Sequence, residues 1–207
     1  MNGSSDAPLV LVLAHGAGAA MDSPFMNSIA EGIGGVDVRV VRFEFPYMAA
    51  RRTTGRRHAP DREAVLLESW RSIMTKLGSA DALVIGGKSM GGRIASMLAD
   101  EVGAAGLVCL GYPFHPPGNP ARTRIKHLEH LHTPALILQG TRDSFGRPDE
   151  IAHYPLSQKI QLAWIDDGDH SFKPAKRSGR SEAQNLAHAI SLIQRFLAAL
   201  KAHTGRS

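Results

Sequence analysis

The stretch "LVIGGKSMGGR", residues 83–93, contains two overlapping motifs that imply different chemistry. The letters "GKS" match the end of a P-loop, in which a glycine-rich loop and a lysine hold a nucleotide phosphate. The letters "GKSMG" match G-x-S-x-G, the nucleophile elbow that presents a serine on a sharp turn between a strand and a helix. The chain therefore either binds a nucleotide here or uses Ser89 to attack a substrate.

The P-loop interpretation fails on spacing. The motif G-x-x-x-x-G-K-[ST] needs a glycine five residues before its second glycine, so that a loop can wrap the phosphates. Position 82 is Ala82, and the "LVI" that follows is strand-like sequence with no slack for a loop. A nucleotide-binding protein remains a hypothesis only if the elbow interpretation is wrong.

The elbow interpretation has the right surroundings, because "ALVIG" predicts a strand and "GRIASMLADEVG" predicts a helix ending at Gly103. A serine nucleophile also needs a base and an acid that orients the base. Asp143 follows the apolar run "ALILQ", and His170 follows "IQLAWI". We predict Ser89, His170 and Asp143 as nucleophile, base and acid. The remaining alternatives for the acid are Asp166, Asp167 and Asp169.

The other candidate residues follow from what acyl transfer requires. Backbone N–H groups must stabilise the oxyanion, and we assign those of Met90 and Ala17, with Gly18 as the alternative to Ala17. The loop "YPFHPPG" either lines an acyl pocket or is only a rigid proline-braced segment. Lys88 either adds positive charge beside the serine or points into solvent. The candidate substrate-binding residues are Tyr112, Phe114, His115 and Lys88.

These residues must be positioned by strands and helices, and apolar runs alternate with helical patterns along the chain, as in a parallel sheet with crossover helices. The predicted strands are 9–14, 38–44, 82–86, 106–110, 135–139 and 160–165. Apolar residues at helical spacing predict helices around 66–77 and 186–200. The predicted irregular stretches are 45–60, 112–122, 143–150 and 166–180. Each follows a strand end, so the loops converge on one rim.

Composition limits the class of protein. A length of 207 residues with 43% apolar content suits one domain, residues 1–207. Without an apolar run long enough to cross a bilayer, we expect a soluble, cytoplasmic protein with no membrane partner. The net charge of +5 collects partly in "RRTTGRRHAPDR", which lacks interleaved aromatic residues, so we expect no nucleic-acid partner. The cluster "DDGDH" lacks metal-ligand spacing, so we predict no metal. A serine nucleophile with a histidine base needs no cofactor, so we predict none.

The motifs "AHGAGAAMDSPFM", "GGKSMGGRIAS", "GYPFHPPG", "LILQGTRDSFG" and "DGDHSF" together resemble the small α/β-hydrolase family that includes dienelactone-hydrolase-like proteins. Within that family, the motifs more closely resemble the branch related to the hydrolase-like subunit of a histone acetyltransferase regulatory complex. The resemblance implies a minimal, cap-less α/β-hydrolase fold of about six mostly parallel strands, with the Ser89–His170–Asp143 triad. True dienelactone hydrolases resemble the chain in fold but use cysteine as nucleophile, which argues against their particular reaction.

We therefore expect a serine hydrolase that cleaves esters or thioesters of small acyl substrates through an acyl-enzyme. The alternative is a binding or scaffolding module with the same fold and little catalysis. Two basic groups could surround the mouth of the site and attract an anionic substrate. They are Arg51, Arg52, Arg56 and Arg57 after the second strand, and Lys173, Lys176, Arg177 and Arg180 after His170. The oligomeric state cannot be predicted from these features.

Overall fold

A six-stranded parallel sheet organises the protein in its computed structural model, which describes residues 1–78 and 82–204. The predicted domain, residues 1–207, includes residues 79–81 and 205–207, which lie outside the described residues. The strands are β1 (Leu9–Ala14), β2 (Val38–Phe43), β3 (Leu83–Lys88), β4 (Gly106–Leu110), β5 (Ala135–Gly140) and β6 (Ile160–Ile165). Their order across the sheet is β2-β1-β3-β4-β5-β6, and every neighbouring pair is parallel.

Helices cover both faces of the sheet. The helices are α1 (Pro24–Ile33), α2 (Pro46–Thr54), α3 (Glu63–Leu77), α4 (Met90–Leu98), α5 (Pro148–Ile151) and α6 (Glu182–Thr204). Side chains alternate between the faces of a strand, so β1 contributes to two cores. Leu11 and Leu13 pack with α1 and α6, whereas Val12 packs with α3 and α4. Both faces are buried, which explains why the strands are apolar along nearly their whole length.

The predicted strands match the observed ones to within two residues, but several other elements differ from the prediction. Helix α2 lies within the stretch 45–60 that was predicted to be irregular, and α5 begins within 143–150. Only two of the nine residues of α2 are buried apolar side chains, so it carries almost no helical hydrophobic pattern. Helix α4 ends at Leu98, and Gly103 lies in the turn beyond it rather than at the helix end.

The chain between β4 and β5 contains no inserted helical cap over the sheet. Its only regular element in the described structure is a single 3₁₀ turn, Lys126–Leu128. In the described residues, no helix is both long enough and apolar enough to cross a bilayer. Cys109 is fully buried in β4, and burial raises the pKa of its thiol well above the ordinary value, so it serves packing.

Candidate active site

Ser89 lies on a sharp turn between the end of β3 and the start of α4. Its backbone angles are φ 51° and ψ −116°, a left-handed conformation that costs a non-glycine residue about 1–3 kcal/mol. The neighbouring chain leaves no room for side chains beside it. A Cβ on Gly87 would lie 2.3 Å from the carbonyl oxygen of Ala14, and one on Gly91 would lie 2.5 Å from the same atom. The glycines therefore allow the elbow to press against the end of β1.

The hydroxyl of Ser89 is part of a hydrogen-bonded chain of three side chains. The Ser89 Oγ lies 2.8 Å from His170 Nε2, and His170 Nδ1 lies 2.8 Å from Asp143 Oδ2. A carboxylate can only accept, so Nδ1 carries the proton and donates to Asp143. Nε2 is then free to accept the serine proton, which is the arrangement that general-base activation of a hydroxyl requires.

Asp143 is fully buried, and three donors hold its carboxylate in place. Besides His170, the amide of Gln139 donates to Oδ2 at 2.8 Å, and the backbone N–H of Phe145 donates to Oδ1 at 2.9 Å. Gln139 is itself fully buried and accepts the N–H of Tyr112 at 2.7 Å. Sequence reasoning missed Gln139, although a polar residue near the end of an otherwise apolar strand, four residues before the acid, was a usable signal.

The ring of Phe145, which the sequence did not indicate as part of the site, packs against the base, His170. The ring of Phe145 lies 4.2 Å from the ring of His170, centroid to centroid, with 30° between the planes. His170 keeps 24% of its side-chain surface exposed, whereas Asp143 has none. The imidazole is therefore held on one side and open to an incoming molecule on the other.

The three aspartates adjacent to His170 in sequence serve the backbone and nearby arginines. Asp166 pairs with Arg180 at 2.9 Å, and Asp167 accepts the N–H of Ala175 at 2.8 Å. Asp169 accepts two backbone N–H groups of its own loop, at 2.8 and 3.0 Å. These contacts fix the loop, and the geometry favours Asp143 among the four candidate acids. Among the described residues, no group of three His, Cys, Asp or Glu side chains is arranged to hold a metal ion.

The loop after β1 is held against the elbow by two buried side chains. His15 is fully buried, and its Nε2 accepts the N–H of Phe45 at 3.1 Å, so its Nδ1 must donate to the carbonyl of Gly16 at 2.7 Å. Burial lowers the pKa of His15, which keeps it in this neutral form. The hydroxyl of Tyr47, on α2, donates to the carbonyl of Ala17 at 3.0 Å.

These contacts engage carbonyl groups of the loop and leave its N–H groups available. In the part of the chain that the structure describes, the N–H groups of Ala17, Gly18 and Met90 donate to no protein acceptor. A Cβ added to Gly16 would lie 3.6 Å from the Cβ of Ser89, so the loop lies beside the elbow. Free N–H groups on both sides of a serine are what an oxyanion hole needs.

Lys88 points inward, which excludes the interpretation that its side chain points into solvent and keeps its positive charge close to the base, His170. It is 8% exposed, and its Nζ donates to the backbone carbonyl of His170 at 2.6 Å. The ammonium also lies 5.7 Å from the ring centroid of Phe25. Burial lowers the pKa of Lys88 to about 8, against the opposing attraction of Asp143 and Asp169. The lysine therefore braces the loop that carries His170.

The predicted substrate contacts of the "YPFH" segment are not supported, because the structure buries these side chains. Tyr112 and Phe114 are 0% exposed, and His115 is 2% exposed. The Tyr112 hydroxyl donates to a backbone carbonyl, and His115 Nε2 lies 3.1 Å from Glu150. The N–H of His115 donates to the carbonyl of Phe145, at 3.2 Å. The segment therefore supports the site from behind instead of lining it.

Comparison with known proteins matches this architecture. The model of the family described as "Alpha/beta hydrolase domain" matches residues 7–198, nearly the whole chain. The chain belongs to this family, and its class is that of the hydrolases.

Solved structures with the same fold include a serine hydrolase, a dienelactone hydrolase and an esterase domain. An α/β serine hydrolase without lid from Xanthomonas campestris is 17% identical, with 96% of this chain and 86% of that chain covered and a TM-score of 0.69. A dienelactone hydrolase from Anabaena variabilis is 19% identical, with coverage of 95% and 88% and a TM-score of 0.65. An esterase domain from Rhodothermus marinus is 13% identical, with coverage of 94% and 88% and a TM-score of 0.66. At these identities the likeness is one of fold.

Proposed function

We propose that the protein is a serine hydrolase that cleaves esters or thioesters of small acyl substrates through a covalent acyl-enzyme. The observation that carries the proposal is the continuous hydrogen-bonded chain from Ser89 Oγ through His170 to the buried carboxylate of Asp143. The strained elbow and the free N–H groups beside it support the same conclusion. The esterase and serine hydrolase among the structural neighbours are consistent with it.

In the proposed reaction, Ser89 Oγ attacks the acyl carbonyl carbon while His170 Nε2 takes the hydroxyl proton. Asp143 stabilises the imidazolium that forms. The N–H groups of Ala17 and Met90 stabilise the oxyanion, and His170 then donates the proton to the leaving alcohol or thiol. Water, activated by the same histidine, releases the acid and regenerates the serine. Each step uses groups of the chain and water, so the cycle needs no cofactor.

Labelling with a fluorophosphonate probe tests the proposal, because the probe phosphonylates a serine only where a base activates it. We expect labelling at Ser89 that Ser89→Ala and His170→Ala abolish. Ser96 offers a matched control, since its Oγ also lies 2.8 Å from a histidine Nε2, that of His127, but the residue is 2% exposed. Ser96→Ala should label like the wild type.

Two outcomes of the labelling experiment would contradict the proposal. A folded protein that never labels would favour a binding module with a hydrolase fold. Labelling that survives Ser89→Ala would place the nucleophile elsewhere. Circular dichroism of each variant separates a lost nucleophile from a lost fold.

A further inference from the structure

A small pocket lies between the loop after β1 and helix α2. Its volume is about 260 Å³, which is below the range of about 300–1,000 Å³ typical of sites for whole small molecules. It therefore suits one substituent of a larger substrate. The lining residues are Gly18, Ala19, Ala20, Met48, Arg51 and Arg52. We call this the Arg51 pocket.

The Arg51 pocket lies close to the nucleophile. Gly16 lies beside the elbow, since a Cβ added to it would lie 3.6 Å from the Cβ of Ser89. Gly18, in the pocket wall, is two residues further along, so its Cα lies at most about 7.6 Å from that of Gly16. A short acyl chain whose carbonyl carbon is at Ser89 Oγ can therefore reach the pocket.

The walls of the pocket are fixed by contacts other than those of Arg51. Arg52 makes two hydrogen bonds to Glu44, at 2.6 and 2.7 Å, and an ion pair with Asp22 at 2.7 Å. The charge of Arg52 is thus already engaged by two carboxylates and is not available to a ligand. The hydroxyl of Tyr47 joins α2 to the loop on the opposite wall. The pocket is therefore built before any ligand arrives.

Arg51 is the one lining residue with unmatched charge. Its side chain is partly buried, and across residues 1–78 and 82–204 it forms no ion pair and no hydrogen bond through its guanidinium. A guanidinium offers paired N–H donors whose geometry fits the oxygens of a carboxylate or a phosphate. The guanidinium of Arg51 is not among the buried polar groups that lack a partner in the described residues, so water reaches its donors and a bound anion would replace that water with paired acceptors.

The second basic group, after His170, is a weaker candidate for binding a substrate anion. Arg180 is paired with Asp166 at 2.9 Å, and Lys173 Nζ lies 3.9 Å from Glu182. The charges predicted to surround the site are therefore partly neutralised on the His170 side. Lys176 and Arg177 form no ion pair in the described residues but are exposed, whereas Arg51 is partly buried in a pocket beside the oxyanion loop.

We propose that the Arg51 pocket binds an anionic group of the substrate, a carboxylate or a phosphate, attached to the acyl chain a few bonds from the scissile carbonyl. The proposal rests on the proposed function and specifies its substrate class. Arg51 then selects substrates by pairing with this anion, while the chemistry stays at Ser89. The enzyme should prefer acyl groups that end in an anion to neutral acyl groups of the same length.

Three 4-nitrophenyl esters test the proposal: the monoester of adipic acid, the ester of 5-phosphonopentanoic acid, and the neutral hexanoate. We expect the wild type to have a higher kcat/KM for one or both anionic esters than for the hexanoate. Arg51→Gln should lower that anionic-to-neutral ratio about 10- to 100-fold, the factor expected when a charge-assisted hydrogen bond is lost. The matched control is Arg57→Gln, an exposed arginine of the same basic segment outside the pocket. It should keep the wild-type ratio.

The outcomes distinguish a carboxylate from a phosphate, and they distinguish failure of the pocket proposal from failure of the hydrolase proposal. A larger ratio for the phosphonate assigns a phosphate, and a larger ratio for the adipate assigns a carboxylate. The proposal that the Arg51 pocket binds an anion would be overturned by equal kcat/KM for all three esters in the wild type. It would also be overturned if Arg51→Gln and Arg57→Gln changed the anionic-to-neutral ratio equally. If the hexanoate is cleaved and Ser89 labels in that case, the hydrolase proposal stands. If no ester is cleaved and Ser89 does not label, the hydrolase proposal itself fails.

Discussion

Replacing Lys88 by methionine should change how the stability of the protein depends on pH. Burial lowers the pKa of Lys88 to about 8 from its ordinary value of 10.5. The folded state therefore binds this proton less tightly than the unfolded chain does. The buried charge destabilises the fold fully below about pH 8, and this cost disappears as the pH rises through about 10.5. At about 1.4 kcal/mol per pKa unit, the full cost is about 3 kcal/mol.

The measurement is the free energy of unfolding in urea at about pH 7 and about pH 10, for the wild type and Lys88→Met. The stability of the variant relative to the wild type should fall by about 2 kcal/mol between the two conditions, because only the wild type is relieved of the buried charge. Groups that titrate in both proteins cancel in this difference. Lys176→Met removes an exposed lysine of the loop after His170 and should show a relative stability independent of pH. A constant difference for Lys88→Met would refute the inward, charged position of this side chain.

Three further substitutions test other parts of the structure. Gln139→Leu should lower kcat about 10-fold, because Asp143 loses a hydrogen-bond donor. It should also destabilise the fold by about 2 kcal/mol, because the buried N–H of Tyr112 loses its acceptor. Steady-state kinetics measure the first effect, and urea unfolding measures the second. His127→Gln should reduce acid destabilisation between about pH 6.5 and pH 4, because burial lowers the pKa of His127 to about 4 and only the unfolded chain takes up its proton in that window. An unchanged pH dependence of unfolding would contradict this reason. Gly91→Ala should destabilise by at least about 1–3 kcal/mol, because its Cβ would lie 2.5 Å from a backbone oxygen; an unchanged melting temperature would refute the close approach.

The sheet could be predicted from the sequence because its strands are buried on both faces. Continuous apolar runs identify such strands, and all six lie within two residues of their predicted positions. Helix α2 could not be found from periodicity, since only Tyr47 and Met48 are buried in it. Its ends did carry signals, with Pro46 in the first turn and Gly55, at φ 67°, directly after the last residue. Short helices that pack against loops need such capping evidence, because their hydrophobic pattern is too weak.

Only part of the candidate site could be predicted from the sequence. The order of Ser89, Asp143 and His170, each after its own strand, predicts that they meet at one edge of the sheet, and the structure joins them by hydrogen bonds. Spacing could not show which way the buried side chains near them point. Lys88 was expected either to add charge beside Ser89 or to point into solvent; the structure excludes the solvent-facing orientation, and it places Tyr112 behind the site. Such orientations depend on packing between distant segments, which no local pattern records.

The central claim is that Ser89 becomes acylated during turnover. The direct measurement mixes the protein with a slowly hydrolysed 4-nitrophenyl ester, quenches the mixture in acid within the first turnover, and locates the acyl group by mass spectrometry of the peptides. We predict one acyl group on the peptide that contains Ser89, absent from Ser89→Ala and present in Ser96→Ala. Ester cleavage at an undiminished rate by Ser89→Ala, or an acyl group on any other peptide during turnover, would contradict the account.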